Sequence, residues 1–211
     1  MTTERRPAGF DPARDILLDA HNLRGLAHPV RMRLLSLLRE HGPATATQLA
    51  ARLGESSATT SYHLRQLAAY GFIVDDERPA RGRERWWRAA HRSTYFEMPD
   101  AGEPADRVLA EEYLRNVIRA NAARMEASLE AWPTTPQAWR AVSNISNYVA
   151  WLTPEQAGAL TTQLEALGTR LRDEHSTRRP GTAAVTFQFQ VLPDAGGRVP
   201  AARADGQGAG E

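Results

Sequence analysis

Residues 45–70, TATQLAARLGESSATTSYHLRQLAAY, read as two short helices broken at Gly54. The first carries Leu49 and Leu53 four apart. The second carries Thr60, Leu64 and Leu67 at the three- and four-residue spacing that makes one apolar stripe. Ser56 and Ser57 stand where a helix N-cap belongs, because a short hydroxyl side chain accepts from the open amides of the first turn. Gly71 stands where the helix stops, and a strand-like FIV follows it. This is the grammar of a helix-turn-helix, whose second helix lies in the major groove of DNA.

At about 100° per residue, a second helix that turns Thr60, Leu64 and Leu67 inward turns Ala58, Thr59, Ser61, Tyr62, Arg65 and Gln66 outward. Ser57 crowns the N-terminus and His63 falls on the boundary. The outward set is small, polar and hydrogen-bonding, and its one arginine is able to fork onto a guanine edge. A solvated face of an ordinary helical domain is the competing account of the same residues. The next stretch weighs against it. An acidic DDE, the run RPARGRER and then WWRA form two extended segments around a Gly- and Pro-containing tip, the pattern of a β-hairpin. Arg78, Arg81, Arg83 and Arg85 cluster there, and a hairpin placed directly after a recognition helix is a wing whose arginines suit phosphates or a narrow minor groove.

From Leu23 to Ala89 the chain therefore resembles the winged helix-turn-helix of the ArsR type of bacterial repressor, on LRGLAHPVRMRLLSLL, TATQLAARLG, SSATTSYHLRQLAAYGFI and the arginine-rich wing. The resemblance implies a dimer that binds a palindromic operator on double-stranded DNA and responds to a signal; the absence of cysteine is compatible with a reducing cytoplasm, the expected location. It implies major-groove contacts at Ser57, Thr59, Ser61, Tyr62 and Arg65, with Gln66 beside them. The chain departs from the family at its sensor. Many members sense metals through cysteines or Asp/His sets; this chain has no cysteine, and Asp173 and His175 lack a second cluster. No metal and no cofactor is expected.

Composition agrees. The 211 residues suffice for one large or two small domains, and 42% of them are hydrophobic, enough for a packed core. All 26 basic residues are arginine, a uniformity that looks like codon bias and weakens arguments from arginine number. Net charge is +1 but uneven. Residues 1–98 hold 15 arginines against 11 carboxylates, and residues 99–211 hold 11 against 14, so the basic half is the one with the helix-turn-helix. The opening MTTERRPAGF is polar, without the look of a signal peptide, and no apolar run approaches the roughly 20 residues of a membrane helix. An enzyme finds no support: there is no Gly-rich phosphate loop and no HExxH, and the histidines at 21, 28, 41, 63, 91 and 175 are scattered. Glu111 with Glu112, or Asp173 with Glu174, are adjacent residues that diverge on a helix and read as solvated surface.

In chain order, Asp11 to Leu26 reads as a helix with Asp11 as N-cap and Pro12 at its first position, broken by His28 and Pro29. His28 reads as a cap or packing residue. Residues 30–41 read as a second helix stopping at Gly42. Pro99 to Pro104 is a linker, and residues 105–132 form a helix about 42 Å long at 1.5 Å per residue. Its stripe of Ala110, Leu114, Ile118, Asn121, Met125, Leu129 and Trp132 reads as a dimerisation seam in which Asn121 fixes register, or as a face packed on its own domain.

Val142–Leu152 reads as a strand, Thr153 caps a helix opened by Pro154, and AAVTFQFQVLP alternates Val185, Phe187, Phe189 and Val191 on one face as a second strand. Two strands are too few, so the sheet is completed across a dimer or by a further strand. Trp132, Trp139, Tyr148 and Trp151 are candidates to bind a small apolar or aromatic effector; filling the core is the plainer account.

The expected architecture is α+β. It comprises a winged helix-turn-helix over residues 1–98, a linker and dimerisation helix over 99–135, an α/β dimerisation or effector module over 136–193 and a disordered tail over 194–211. The expected function is a dimeric transcription regulator, a repressor. The alternative is a winged-helix protein-interaction module without specific DNA binding.

Overall fold

The computed structural model describes residues 7–77, 85–96, 104–177, 179–194 and 196. They fall into two units, residues 10–147 and residues 1–9 with 148–211.

The architecture of the larger unit is mixed helix and sheet, as expected. It runs β1 (Asp15–Leu17), α1 (Ala20–Leu26), α2 (Pro29–His41), β2 (Ala44–Thr45), α3 (Ala46–Leu53), α4 (Ser57–Ala69), β3 (Ile73–Asp75), β4 (Trp86–Ala89), β5 (Ser93–Tyr95), the long α5 (Pro104–Glu130) and the short α6 (Gln137–Arg140). The core is built from Leu34, Leu38, Leu49, Leu64, Leu67, Phe72 and Ile73, all fully buried. α2, α3 and α4 thus meet on one apolar centre, and the small sheet closes it. In that sheet β4 lies between β2 and β3, both antiparallel to it, with Ala44 opposite Trp87 and Val74 opposite Arg88.

The helix boundaries follow capping chemistry. Thr45 Oγ1 accepts from the Gln48 amide (3.3 Å) while Gln48 Oε1 accepts from the Thr45 amide (3.0 Å), which satisfies two open donors at the start of α3. α3 ends at Gly54, whose φ of 70° is a left-handed conformation that glycine adopts without a Cβ clash. His28 caps α2: its Nδ1 accepts from the Val30 amide at 3.2 Å, with Pro29 at the first helical position.

The expected helix from Asp11 is corrected. Asp11 does cap a turn, since Oδ1 accepts from the Ala13 amide (3.0 Å) and its carbonyl from the amides of Arg14 and Asp15. The chain then straightens into β1, which pairs in parallel with β5, and the helix begins only after Asp19, the N-cap of α1. The reason lies about 80 residues away. The fully buried carboxylate of Asp15 accepts from Arg92 Nε at 2.9 Å and Nη2 at 3.3 Å, and also from the Asp11 amide at 2.9 Å.

The long helix is present, but its docked face differs from the predicted stripe. Ala110, Tyr113 and Asn116 are buried, with Leu109, Leu114 and Val117 packed against the core. At about 100° per residue this face is turned by roughly a quarter circle from the stripe read in the sequence. Asn116 Nδ2 donates to the Ala27 carbonyl at 3.0 Å, tying α5 to the end of α1. Farther along, Ile118, Met125 and Leu129 are exposed.

In the smaller unit the regular element among the described residues is α7 (Pro154–Glu174), capped by Thr153 as the sequence suggested; the structure adds a reciprocal box with Gln156. Residues 7–9 belong to the same unit: the Ala8 amide donates to Glu165 Oε2 at 3.1 Å, and a Cβ on Gly9 would meet Thr169 at 2.7 Å. Two expectations are corrected. Neither Val142–Leu152 nor the alternating run ending at Val191 is in a strand ladder. Their residue types suit strands, but a strand needs a hydrogen-bonded neighbour, and no described segment of the chain supplies one.

Replacing Asp15 by alanine removes the buried carboxylate with which the mostly buried Arg92 guanidinium pairs at the β1–β5 junction. The Asp15→Ala chain is expected to lose about 3 kcal/mol in denaturant unfolding, whereas Asp11→Ala, at the exposed end of the same turn, loses far less. Equal losses would show that the ion pair does not hold the junction.

Candidate nucleic-acid interface

α4 follows α3 after the Gly54 turn, and the two are held by the Leu49, Leu64 and Leu67 contacts, so the outward face of α4 is set by the core behind it. Ser56 is the N-cap. Its Oγ accepts from the Thr59 amide at 3.0 Å and shares a 2.8 Å hydrogen bond with Thr59 Oγ1. Ser57, Ala58, Thr59, Tyr62 and Arg65 are exposed; Ser61 and Gln66 are half-buried. Four of the six outward positions, Ala58, Thr59, Tyr62 and Arg65, thus share one exposed surface with Ser57 at its crown, while the Thr59 hydroxyl is already engaged by the cap. Among the described residues Arg65 has no ion pair or hydrogen bond, so its guanidinium is open.

His63, which the helical wheel left on the boundary, is buried. Its ring lies 4.5 Å from that of His28, centroid to centroid, and Tyr62 meets it edge-on at 5.3 Å. Its Nδ1 is buried without a partner among the described residues. Both imidazoles are held below the ordinary histidine pKa. Burial is the main cause for each. For His63 the neighbouring His28 and then Arg31 add to it, for His28 Arg31 does, and Glu55 pulls both the other way.

The wing is a hairpin of β3 and β4. Arg78, Arg81 and Arg83 lie outside the described residues. Arg85 lies at its foot: Nη2 donates to Asp75 Oδ2 at 2.6 Å, Nε donates to Asp75 Oδ1, and the guanidinium stacks over the Trp87 ring at 4.1 Å. The pair lowers the Asp75 pKa and raises that of Arg85, through the hydrogen bond first and then its charge. Arg85 therefore braces the hairpin across its two strands. Arg88, one residue past the buried Trp87, is exposed on the opposite face of β4, and Arg52 is exposed on α3. Neither was singled out in the sequence; the alternation of β4 around Trp87 was the signal for Arg88.

The four effector candidates are not core residues. Trp132 and Trp139 belong to the larger unit and are 40% and 36% exposed; Tyr148 and Trp151, in the smaller, are 87% and 98% exposed. Among the described residues no group of three or more His, Asp or Glu side chains could hold a metal ion, and no helix is long and apolar enough to cross a membrane.

Residues 26–75 match a family model described as a helix-turn-helix domain. The span covers α2, α3, α4 and β3. With the β3–β4 hairpin that follows α4, this stretch has the form of a winged helix-turn-helix domain. Solved structures similar to the chain include a possible transcriptional regulator for arsenical resistance, at 25% identity over 51% of this chain and 95% of that one, with a TM-score of 0.29. Lactococcus lactis ZitR in apo form is 15% identical over 69% and 83%, with a TM-score of 0.30. RV1404 from Mycobacterium tuberculosis is 19% identical over 71% and 83%, also at 0.30. No curated protein matches the chain.

The histidine pair gives the domain a pH dependence of definite sign. The unfolded chain binds protons near pH 6.5 and the folded pair only at lower pH, so stability is fully present above that value and falls as pH drops through it. The melting temperature is expected to decline between pH 7.5 and 5. A chain carrying His28→Asn, which keeps a capping acceptor, and His63→Leu, which keeps the burial, should lose much of that decline; an unchanged slope would assign it to other groups.

Proposed function

We propose that the protein is a transcription repressor that binds a palindromic operator as a homodimer, each copy laying α4 in the major groove. The observation that carries this reading is the open face of α4: Ser57, Ala58, Thr59, Tyr62 and Arg65 exposed together on a helix whose other side is locked into the core. Arg65 is the base reader, being the arginine of that face, and a guanidinium forks onto the O6 and N7 of guanine. Tyr62, Ser61 and Gln66 lie beside it for further base edges. Ser57, at the positive end of the helix, suits a backbone phosphate. Arg78, Arg81 and Arg83 of the wing, with Arg88, supply sequence-independent phosphate contacts.

Two half-sites about 34 Å apart require two copies, and the exposed Ile118, Met125 and Leu129 of α5 are the apolar surface in the larger unit suited to a second α5. Candidates to contact an apolar or aromatic effector are Trp132 and Trp139 in the larger unit or, separately, Tyr148 and Trp151 in the smaller where a partner does not cover them. We read DNA binding within residues 1–98, dimerisation over 99–135, and dimerisation or effector binding over 136–193, although residues 7–9 pack with α7 and residues 136–147 belong to the larger unit. Nothing in the residues supports catalysis.

The test is a titration of the purified chain against the DNA upstream of its own gene and against a scrambled duplex, at two salt concentrations. A preference above about a thousandfold is expected, and Arg65→Ala should weaken the native complex by about 1–3 kcal/mol while leaving the scrambled one unchanged. Equal, salt-sensitive binding to both duplexes, or none, would favour a winged helix that docks on another protein.

A further inference from the structure

The smaller unit has the elements of an α/β layer and none of its closure. α7 is 21 residues long and carries Leu160, Leu164, Leu167 and Leu171 at helical spacing, yet none of its residues is buried. Before it in the chain Tyr148, Val149 and Trp151 are 79–98% exposed; after it Val185 and Leu192 are 73% and 75% exposed, with the Phe187 and Phe189 rings tilted against each other at 5.7 Å and still open. Ordering such segments costs about 1–2 kcal/mol per residue in backbone entropy alone, and burial of apolar surface is what offsets it. Among the described residues of one copy that offset is missing.

We propose that residues 148–192 form a sheet only between two copies of this chain, with Tyr148–Leu152 and Val185–Val191 of each pairing with strands of the other and the two α7 helices covering one face. Three observations select a second copy as the occupant. Both runs are uncharged over their full length, VSNISNYVAWL and TAAVTFQFQVLP. Edge strands that must stay unpaired are normally guarded by charges, and these are not.

The count of strands is also right. Two per copy is below what stands alone, whereas four strands with two helices form an independent layer. The area fits as well. At about 150–250 Å² for each aromatic side chain and roughly 150 Å² for each aliphatic one, the exposed fractions amount to about 1,000 Å² per copy. The resulting figure of about 2,000 Å² for the pair lies at the threshold of obligate homodimers. In this arrangement Tyr148 and Trp151 are interface side chains. The inference shares with the proposed function only the second copy: an intact dimer that ignores DNA would remove that function and leave this interface standing.

The experiment uses the full chain. Its mass in solution is measured by light scattering across a dilution series, with amide hydrogen exchange followed at each concentration. A dimer is expected in which the amides of 185–191 are protected, and this protection should fall on dilution while the α4 amides of Leu64 and Leu67 stay protected. Phe187→Asp, on the apolar face of the alternation, should dissociate the dimer at least tenfold more readily; Thr186→Asp, on the opposite face, should not. A monomer at every concentration overturns the proposal whether those amides are protected or free. So does a dimer whose 185–191 amides exchange freely, which would leave the surface for another partner, and so does an equal response to the two aspartates.

Discussion

The distance between α1 and the end of the recognition helix is set by the absence of one carbon atom. A Cβ on Gly25 would lie 2.7 Å from Phe72 Cε2 and 2.7 Å from Tyr70 Cβ, closer than real Cβ contacts come. Glycine is required there for space, and the contact it permits seats α1 directly on the C-terminal end of α4. Everything attached to α1 inherits that position. Arg31 of α2 donates to the Gly25 and Arg24 carbonyls at 2.6 and 2.8 Å, closing the open end of α1 with a charge of the favourable sign. Asn116 takes the Ala27 carbonyl, so the long α5 is anchored through the same short helix. Any second copy held by α5 is thereby placed relative to α4 through a chain of close contacts, which is the mechanical condition for a fixed half-site spacing.

Behind α4 the packing is apolar apart from the buried Thr60 and His63, the latter facing His28. That pair connects the cap of α2 to the buried side of the recognition helix, because the same His28 ring that accepts from the Val30 amide also lies against His63. A neutral imidazole suits this place. It fills the volume of an aromatic side chain, and His28 needs its Nδ1 lone pair to cap the helix, which protonation would remove. Burial and the cationic Arg31 nearby both favour that neutral form.

The helix-turn-helix was legible because its signals are local. The spacing of Leu49, Thr60, Leu64 and Leu67, the serine before α4 and the glycines at 54 and 71 each act within one or two turns, and the structure uses all of them. β1 was not legible. Asp11 and Pro12 carry the marks of a helix start and do make one turn, but strand formation over Asp15–Leu17 depends on β5 and on Arg92, far away in sequence and too short to show a period. The C-terminal runs fail in the opposite sense: their alternation is plain, yet alternation specifies only a face, and a strand exists when its backbone groups find partners. At the site, the outward face of α4 was legible from the wheel. The inward turn of His63 and the engagement of Arg85 were not, since both depend on a neighbouring side chain.

Arginine number is accordingly a poor guide to the charge this protein can present. Arg31 is spent on helix carbonyls, Arg39 on the His91 carbonyl (2.9 Å) and the Thr94 hydroxyl (2.8 Å), Arg85 on Asp75, Arg92 on Asp15 and Arg124 on Glu40. Each of these is a tie between elements, and the multidentate, permanently charged guanidinium suits it better than a lysine ammonium. Arg65 and Arg88 differ in kind: both are exposed and neither has a carboxylate partner among the described residues, so their charge is not cancelled within the protein. They lie on α4 and on the wing strand β4, the two elements that a winged helix turns toward DNA. Among the described residues of α4 and the wing, the uncancelled charge is thus carried by these two groups, so that the placement of α4 and β4, and not the arginine content, sets the potential there.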